Sequence, residues 1–377
     1  MNAPFPFGFP LPTAFYLTLY VLTLVIHVLF VSYALAGTGY LAAVHFLPGH
    51  PSAPRHKGPA AQTLRDWMPL GLSGAITAGV APLLFIQILY QRSFYTANLL
   101  LFHRWMAILP VLIAGFYLLY LLKSRRAAEG PAWRGGALAL AAWLCFAFTG
   151  YSWTENHLLS LQPGAWPAFF GAGSYFFWTA ALLPRLSLWA AGTIPVMALL
   201  VCWQLWLGGV GSPAEVRRLA ALALLGLLLS ALAAAGYGTL LPPGAREFAS
   251  GGAGAPYLGL ALIGWMFQAG IWLTFWSKPD LRPGLLAAAS AGALLSVLGM
   301  TVLREGVRLA SLPVERLYAL HEQAARVGGL GVFLFFFVLN AALVGWCVVL
   351  ARKGGAPEGA KPSPGKEEDF REALERR

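Results

Sequence analysis

Charge is what this sequence has least of. Only 11% of its 377 residues are Asp, Glu, Lys or Arg, about half the share of an ordinary soluble domain. That scarcity excludes a water-soluble domain of this length. Cysteine is nearly missing as well: Cys145, Cys202 and Cys347 are the three in the chain, and each sits in an apolar stretch as a small buried hydrophobe. No CxxCH run occurs, so no c-type haem is attached covalently. Met1–Thr13 lacks the basic start of a secretory signal, and the first apolar span is expected to stay as an anchor. No period of 20–50 residues stands out, which excludes a solenoid. No inverted repeat of the transporter type is visible either.

What is present is apolar length. Hydrophobic residues make up 58% of the chain, mean hydropathy is +0.65, and there are 14 Trp, which suit the aromatic belts at lipid headgroups. A helix needs about 20 apolar residues to cross a bilayer core. Stretches of that kind run near Ala14–Leu41, Met68–Tyr90, Leu99–Leu122, Ala137–Leu158, Ala181–Leu207, Leu219–Leu241, Tyr257–Trp276, Leu285–Leu303 and Gly329–Leu350. The reading is an all-α polytopic membrane protein with about nine transmembrane helices. Trp166–Trp178 is aromatic and Gly-rich, and reads as an interfacial segment before the fifth span.

The formal charge of +11 lies between spans, which points to orientation and away from nucleic acid. Arg55, Lys57 and Arg65 fill the first loop; Lys123, Arg125, Arg126 and Arg134 fill the third. Arg217, Arg218, Lys278 and Arg282 follow in the fifth and seventh, and Arg352 and Lys353 after the last span. Positive loops face the cytoplasm, so the N-terminus is expected outside and the C-terminus in the cytoplasm. Residues 1–353 form the expected bundle. Residues 354–377 are expected to form a mixed-charge cytoplasmic tail, disordered, with room for a short final helix.

Ionisable groups at membrane depth carry a cost and mark function. His27 lies midway along the first span, in LVIHVLFV, and imidazole is the usual axial ligand of haem iron. His103 and Arg104 open the third span: the His as a second ligand, the Arg as a partner for a propionate. The competing readings are a His bonded to a neighbouring backbone and an interfacial pair snorkelling to headgroups. Met106 shares that helix face, as packing or as a thioether ligand. Trp153, Glu155 and His157 end the fourth span, either as an ordinary helix end or as a proton or gating group. Arg304 and Arg308 are spaced i,i+4 with Glu305 between them, which suits an anion such as a propionate. The alternative there is an amphipathic connector lying on the membrane surface. His45, His50 and His56 fall in or near the first loop, with no assigned role.

Together these segments resemble subunit I of the cytochrome bd quinol oxidases. HVLFVSYALAG is similar to that family's HFLFVPLTLG, where the His is an axial haem ligand, and it maps onto His27. ITAGVAPLLFIQILYQRSFY, HRWMAILPVL and VLREGVRLAS resemble its next segments. The resemblance implies a respiratory subunit of the bacterial inner membrane. It implies b-type haem with His27 as an axial ligand. Joined to the residue reading, the expectation is haem near the outer face, with His103 as the second candidate ligand and Arg104, Arg304 and Arg308 as candidate propionate partners. The departures are specific. The family's two acidic residues of the third span map onto His103 and Val111. Its fifth-span His falls near Ser187, its Met near Leu260, and Met266 is out of register. The long quinol loop is reduced to Pro242–Pro256. The expectation is therefore an electron-transfer subunit served by a membrane or periplasmic redox partner, such as a c-type cytochrome, within a larger complex. Whether it is itself an oxidoreductase stays open. The alternatives are a haem-free anchor of a respiratory complex and a small-molecule transporter.

Overall fold

The computed structural model describes residues 3–47, 55–124, 130–327 and 329–354. These fall into two compact units, Met1–His321 and Glu322–Arg377. The expected tail beyond Gly354, His50, Arg125 and Arg126, and the side chains of Arg55 and Cys347 lie outside the described residues.

The first unit is built from helices α1 (Leu11–Phe46), α2 (Pro59–Leu89), α3 (Gln91–Leu100), α4 (Phe102–Lys123), α5 (Ala132–Ser160) and α6 (Trp166–Gly171). It continues through α7 (Leu182–Gly208), α8 (Pro213–Thr239), α9 (Pro243–Ser250), α10 (Ala255–Ser277) and α11 (Pro283–Ser311), and ends in the first residues of α12 (Tyr318–Val327). The second unit contains α13 (Leu330–Gly354). Among the described residues, eight helices are long and apolar enough to cross a membrane, and a ninth candidate includes Gly331–Leu343. The chain is a multi-pass, all-helical membrane protein. Helix is the form that lets every backbone N–H and C=O find a partner inside its own segment when no water is near.

Local sequence sets where the helices begin and stop. Pro59, Pro213, Pro243 and Pro283 each open a helix, where the missing N–H costs nothing and φ is already helical. Ser212 caps α8 by accepting the Glu215 N–H at 3.3 Å. Glu215 in turn accepts the Ala60 N–H at 3.0 Å, placing a carboxylate at the positive end of α2. Gly209, at φ 63°, ends α7 in the left-handed conformation that glycine adopts without strain.

α1 packs on α2, α5 and α7; α7 pairs with α8, and α10 with α11. The core between them holds Trp272, Phe275, Leu205, Leu64 and Leu119. In lipid, helices associate through close van der Waals contact rather than expulsion of water, so small residues matter at the seams. Gly264 shows this: a Cβ there would lie 2.6 Å from both the Gly292 carbonyl oxygen and the Ser296 nitrogen.

Two expectations change. α2 starts at Pro59 instead of near Met68, because Ala60, Ala61 and Leu64 are buried against neighbouring helices. α11 runs on to Ser311 instead of stopping near Leu303. Its last turns are part of the bundle, with Glu305, Val307 and Arg308 buried, and not a connector on the membrane surface.

Gly264→Val forces α10 and α11 apart and costs about 1–3 kcal/mol, read as a lower thermal unfolding midpoint in detergent. Gly270→Ala, where a Cβ meets nothing within 4 Å, does not lower the midpoint, since alanine is the better helix former. Equal midpoints for the two variants contradict the packing account.

Candidate functional site

The last turns of α11 meet the ends of α1, α2 and α5 in a buried ionic cluster. Glu305 is fully buried and holds two guanidiniums: Arg304 Nη1 donates to its Oε1 at 3.0 Å, and Arg308 Nη1 to its Oε2 at 3.2 Å. The Tyr90 hydroxyl, at the end of α2, donates to Oε2 at 3.0 Å. The Tyr20 hydroxyl on α1 accepts from Arg304 at 3.2 Å and from Arg308 at 3.5 Å. The Arg308 guanidinium also lies over the Tyr90 ring, 4.6 Å from its centre.

Arg308 reaches α5 through its Nη2, which donates to His157 Nδ1. A guanidinium has no acceptor, so Nδ1 accepts and the neutral imidazole carries its proton on Nε2. That Nε2–H is buried and unpartnered, as are Nε of Arg304 and Nε of Arg308. Arg185, near the start of α7, is buried too; its Nη1 donates to the Tyr237 hydroxyl at 2.6 Å. Arg185, Arg304 and Arg308 all stand close enough to His157 to act on it electrostatically.

A second ionic group fastens the aromatic segment ahead of α7. Arg104 donates to Glu155 Oε2 at 2.5 Å and to the Tyr175 carbonyl at 3.0 Å. Glu155 Oε1 accepts the Phe177 N–H at 2.7 Å. The guanidinium lies 4.3 Å from the centre of the Phe176 ring. Trp153 packs edge-on against Trp105 with centroids 4.8 Å apart. Glu155 and His157 are therefore buried partners in two clusters. The simpler expectation of an ordinary interfacial helix end does not hold, because both side chains find charged partners on other helices.

The remaining sequence candidates are dispersed. His27 is half-buried and donates Nδ1–H to the Ala75 carbonyl of α2 at 2.9 Å. Gly79 makes room for it: a Cβ there would lie 2.8 Å from His27 Cε1. His103 is exposed at the head of α4, its ring 5.9 Å from that of Tyr175. Met106 is 58% exposed, so neither turns inward as the paired-ligand reading requires. Among the described residues, no group of three or more His, Cys, Asp or Glu is arranged to hold a metal ion. Arg185, Tyr20, Tyr90 and Tyr237 escaped the sequence reading. Arg185 alone left a signal there, as a cation inside an apolar span.

The Pro242–Pro256 connector is ordered. Its helix α9 sets Phe248 against α11, where a Cβ on Gly306 would come within 2.1 Å of the ring. At the opposite end of α1, His45 stacks on His56 with centroids 5.0 Å apart. Partial burial first, then His45, Lys57 and Arg65, hold the His56 pKa below its ordinary 6.5.

No family model matches the sequence, and no curated protein is similar to it. Among solved structures, a chain of bd oxidase from Geobacillus thermodenitrificans is similar, with a TM-score of 0.68. The match covers 91% of this chain and 98% of that one, at 12% sequence identity. The fold is shared with bd oxidase. The bd oxidase fold thus spans nearly the whole of both chains, which are alike in length.

Glu305→Gln leaves the buried Arg308 guanidinium and the partly buried Arg304 guanidinium without their counter-charge and costs about 3–5 kcal/mol, measured as a lower unfolding midpoint. Glu322→Gln, which breaks an exposed i,i+4 pair with Arg326, costs about 0.3–0.5 kcal/mol. Comparable losses would contradict the buried-cluster account. For His56, the unfolded chain takes up its proton at higher pH than the folded one. The stability it contributes is present above pH 6.5 and falls as pH drops through 6.5 towards the lowered pKa. His56→Gln removes that part of the pH dependence, read from unfolding midpoints between pH 7.5 and 5; an unaltered profile contradicts it.

Proposed function

We propose that this chain is a membrane subunit of a bd-oxidase-like respiratory electron-transfer complex in a bacterial cytoplasmic membrane. The observation that supports it most is the bd oxidase fold over 91% of the chain, with a buried ionic cluster at one end of the bundle.

The residues present fit a b-type haem held by a single imidazole. The His27 Nδ1–H bond to Ala75 is the second-shell arrangement that fixes a ligand's tautomer and direction. It leaves the Nε2 lone pair for iron. His103 does not fit as the second ligand, being exposed and set against Tyr175. Arg104 is taken up by Glu155 and the Tyr175 carbonyl. Arg304 and Arg308 each give Nη1 to Glu305, and Arg308 gives Nη2 to His157, but both keep Nε–H, and these are the arginines suited to a propionate.

A haem so held supplies one-electron redox chemistry. This chain's own residues orient the imidazole, keep water from the Glu305 cluster and fix the positive charge at that end of the bundle. The short connector with Phe248 packed on Gly306 offers no long quinol loop, which favours a protein redox partner, such as a c-type cytochrome.

A second reading is a haem-free anchor of the same complex. It is favoured by the fact that Glu305 partly neutralises Arg304 and Arg308 within the chain itself. A reduced-minus-oxidised optical spectrum of the purified chain separates the two. A b-type band is expected, lost in His27→Ala and kept in His103→Ala. No band, with stoichiometric co-purification of redox partners, supports the anchor instead.

A further inference from the structure

The cluster at the end of α11 is unbalanced in two ways. Arg185, Arg304 and Arg308 bring three positive charges, and among the described residues the carboxylate ion-paired with them is Glu305 alone. Two positive charges are left over. The hydrogen bonding is lopsided in the same sense. His157 Nε2, Arg304 Nε and Arg308 Nε are buried without partners, and by the tautomer argument all three are N–H donors.

Buried polar groups in folded proteins are almost always paired, and uncompensated charge is not left in a water-poor interior. A site with spare donors, spare positive charge and no spare acceptor is complementary to one kind of group. Water answers the donors but not the charge.

We infer that the Arg185–Arg304–Arg308–His157 cluster binds an oxyanion, a carboxylate or phosphate group, between the ends of α5, α7 and α11. The inference extends the reading of Arg304 and Arg308 as anion partners and adds Arg185 and His157. It holds whether or not the chain carries haem.

The test follows thermal unfolding of the full chain in a neutral detergent free of oxyanions. Inorganic phosphate, acetate and phosphatidylglycerol are titrated separately, with phosphatidylcholine as control. The expected result is a saturable rise in the midpoint. A response to phosphate or acetate names a free anion; a response to phosphatidylglycerol alone names a lipid headgroup. Arg185→Gln leaves every bond to Glu305 in place and weakens half-saturation about tenfold, and Arg185→Lys recovers part of it. If the chain is purified with haem and no probe acts, haem loss to apomyoglobin is followed instead. About tenfold faster loss from Arg185→Gln then names a propionate as the anion.

No response to any probe in haem-free protein overturns the inference. So does equal haem retention in the haem-bearing protein, or a response in Arg185→Gln identical to wild type, which marks an adventitious ion only. The optical spectrum reports separately on His27, so the two readings fail independently.

Discussion

One carboxylate sets the terms for this end of the protein. Glu305 is fully buried and grips two guanidiniums and a phenol. Taking each ion out of water costs several kcal/mol after relaxation, and that cost is offset only if the geometry is held. Holding it requires Tyr20 from α1, Tyr90 from the end of α2 and His157 from α5 to reach the same place. The interaction therefore ties together helices far apart in sequence. It also accounts for the length of α11: ending that helix at Leu303 would leave the arginines without the bundle around them. Phe248 of the connector lies against Gly306 in the same turn.

The spans were legible because hydropathy averages over many residues, and averaging is what membrane insertion itself responds to. The same averaging hid what matters at the ends. Arg304, Glu305 and Arg308 lower the local hydropathy, so the eighth span read as finished at Leu303. Their mutual pairing, which makes burial tolerable, is a property of three dimensions. His157 suffered likewise: YSWTENHLL reads as a helix tail, and the buried partner Arg308 is 151 positions away. Depth was readable and direction was not. His27 and His103 look alike in sequence, yet one donates to a carbonyl of the neighbouring helix while the other is exposed. Arg185 was the avoidable miss, since a lone cation in LLPRLSLWAAG already asks for a partner.

A shared fold at 12% identity has a physical basis in the bilayer. Helices are obligatory wherever backbone meets lipid, and their seams need little beyond small residues, as at Gly264 against Gly292 and Ser296. Those demands constrain composition more than identity, so a helical bundle can outlast the ligands it once held. The fold therefore gives this chain its architecture without naming its chemistry. Chemistry has to be argued from what composition does not require. Two buried arginines and a partly buried third, with one buried glutamate among them, are such a feature: apolar packing gains nothing from them, and lipid penalises them. Because every unpaired group in the cluster is a donor, the bundle is electrostatically incomplete at that end. Whatever completes it brings negative charge, and it does so where residues of α1, α2, α5, α7 and α11 come together.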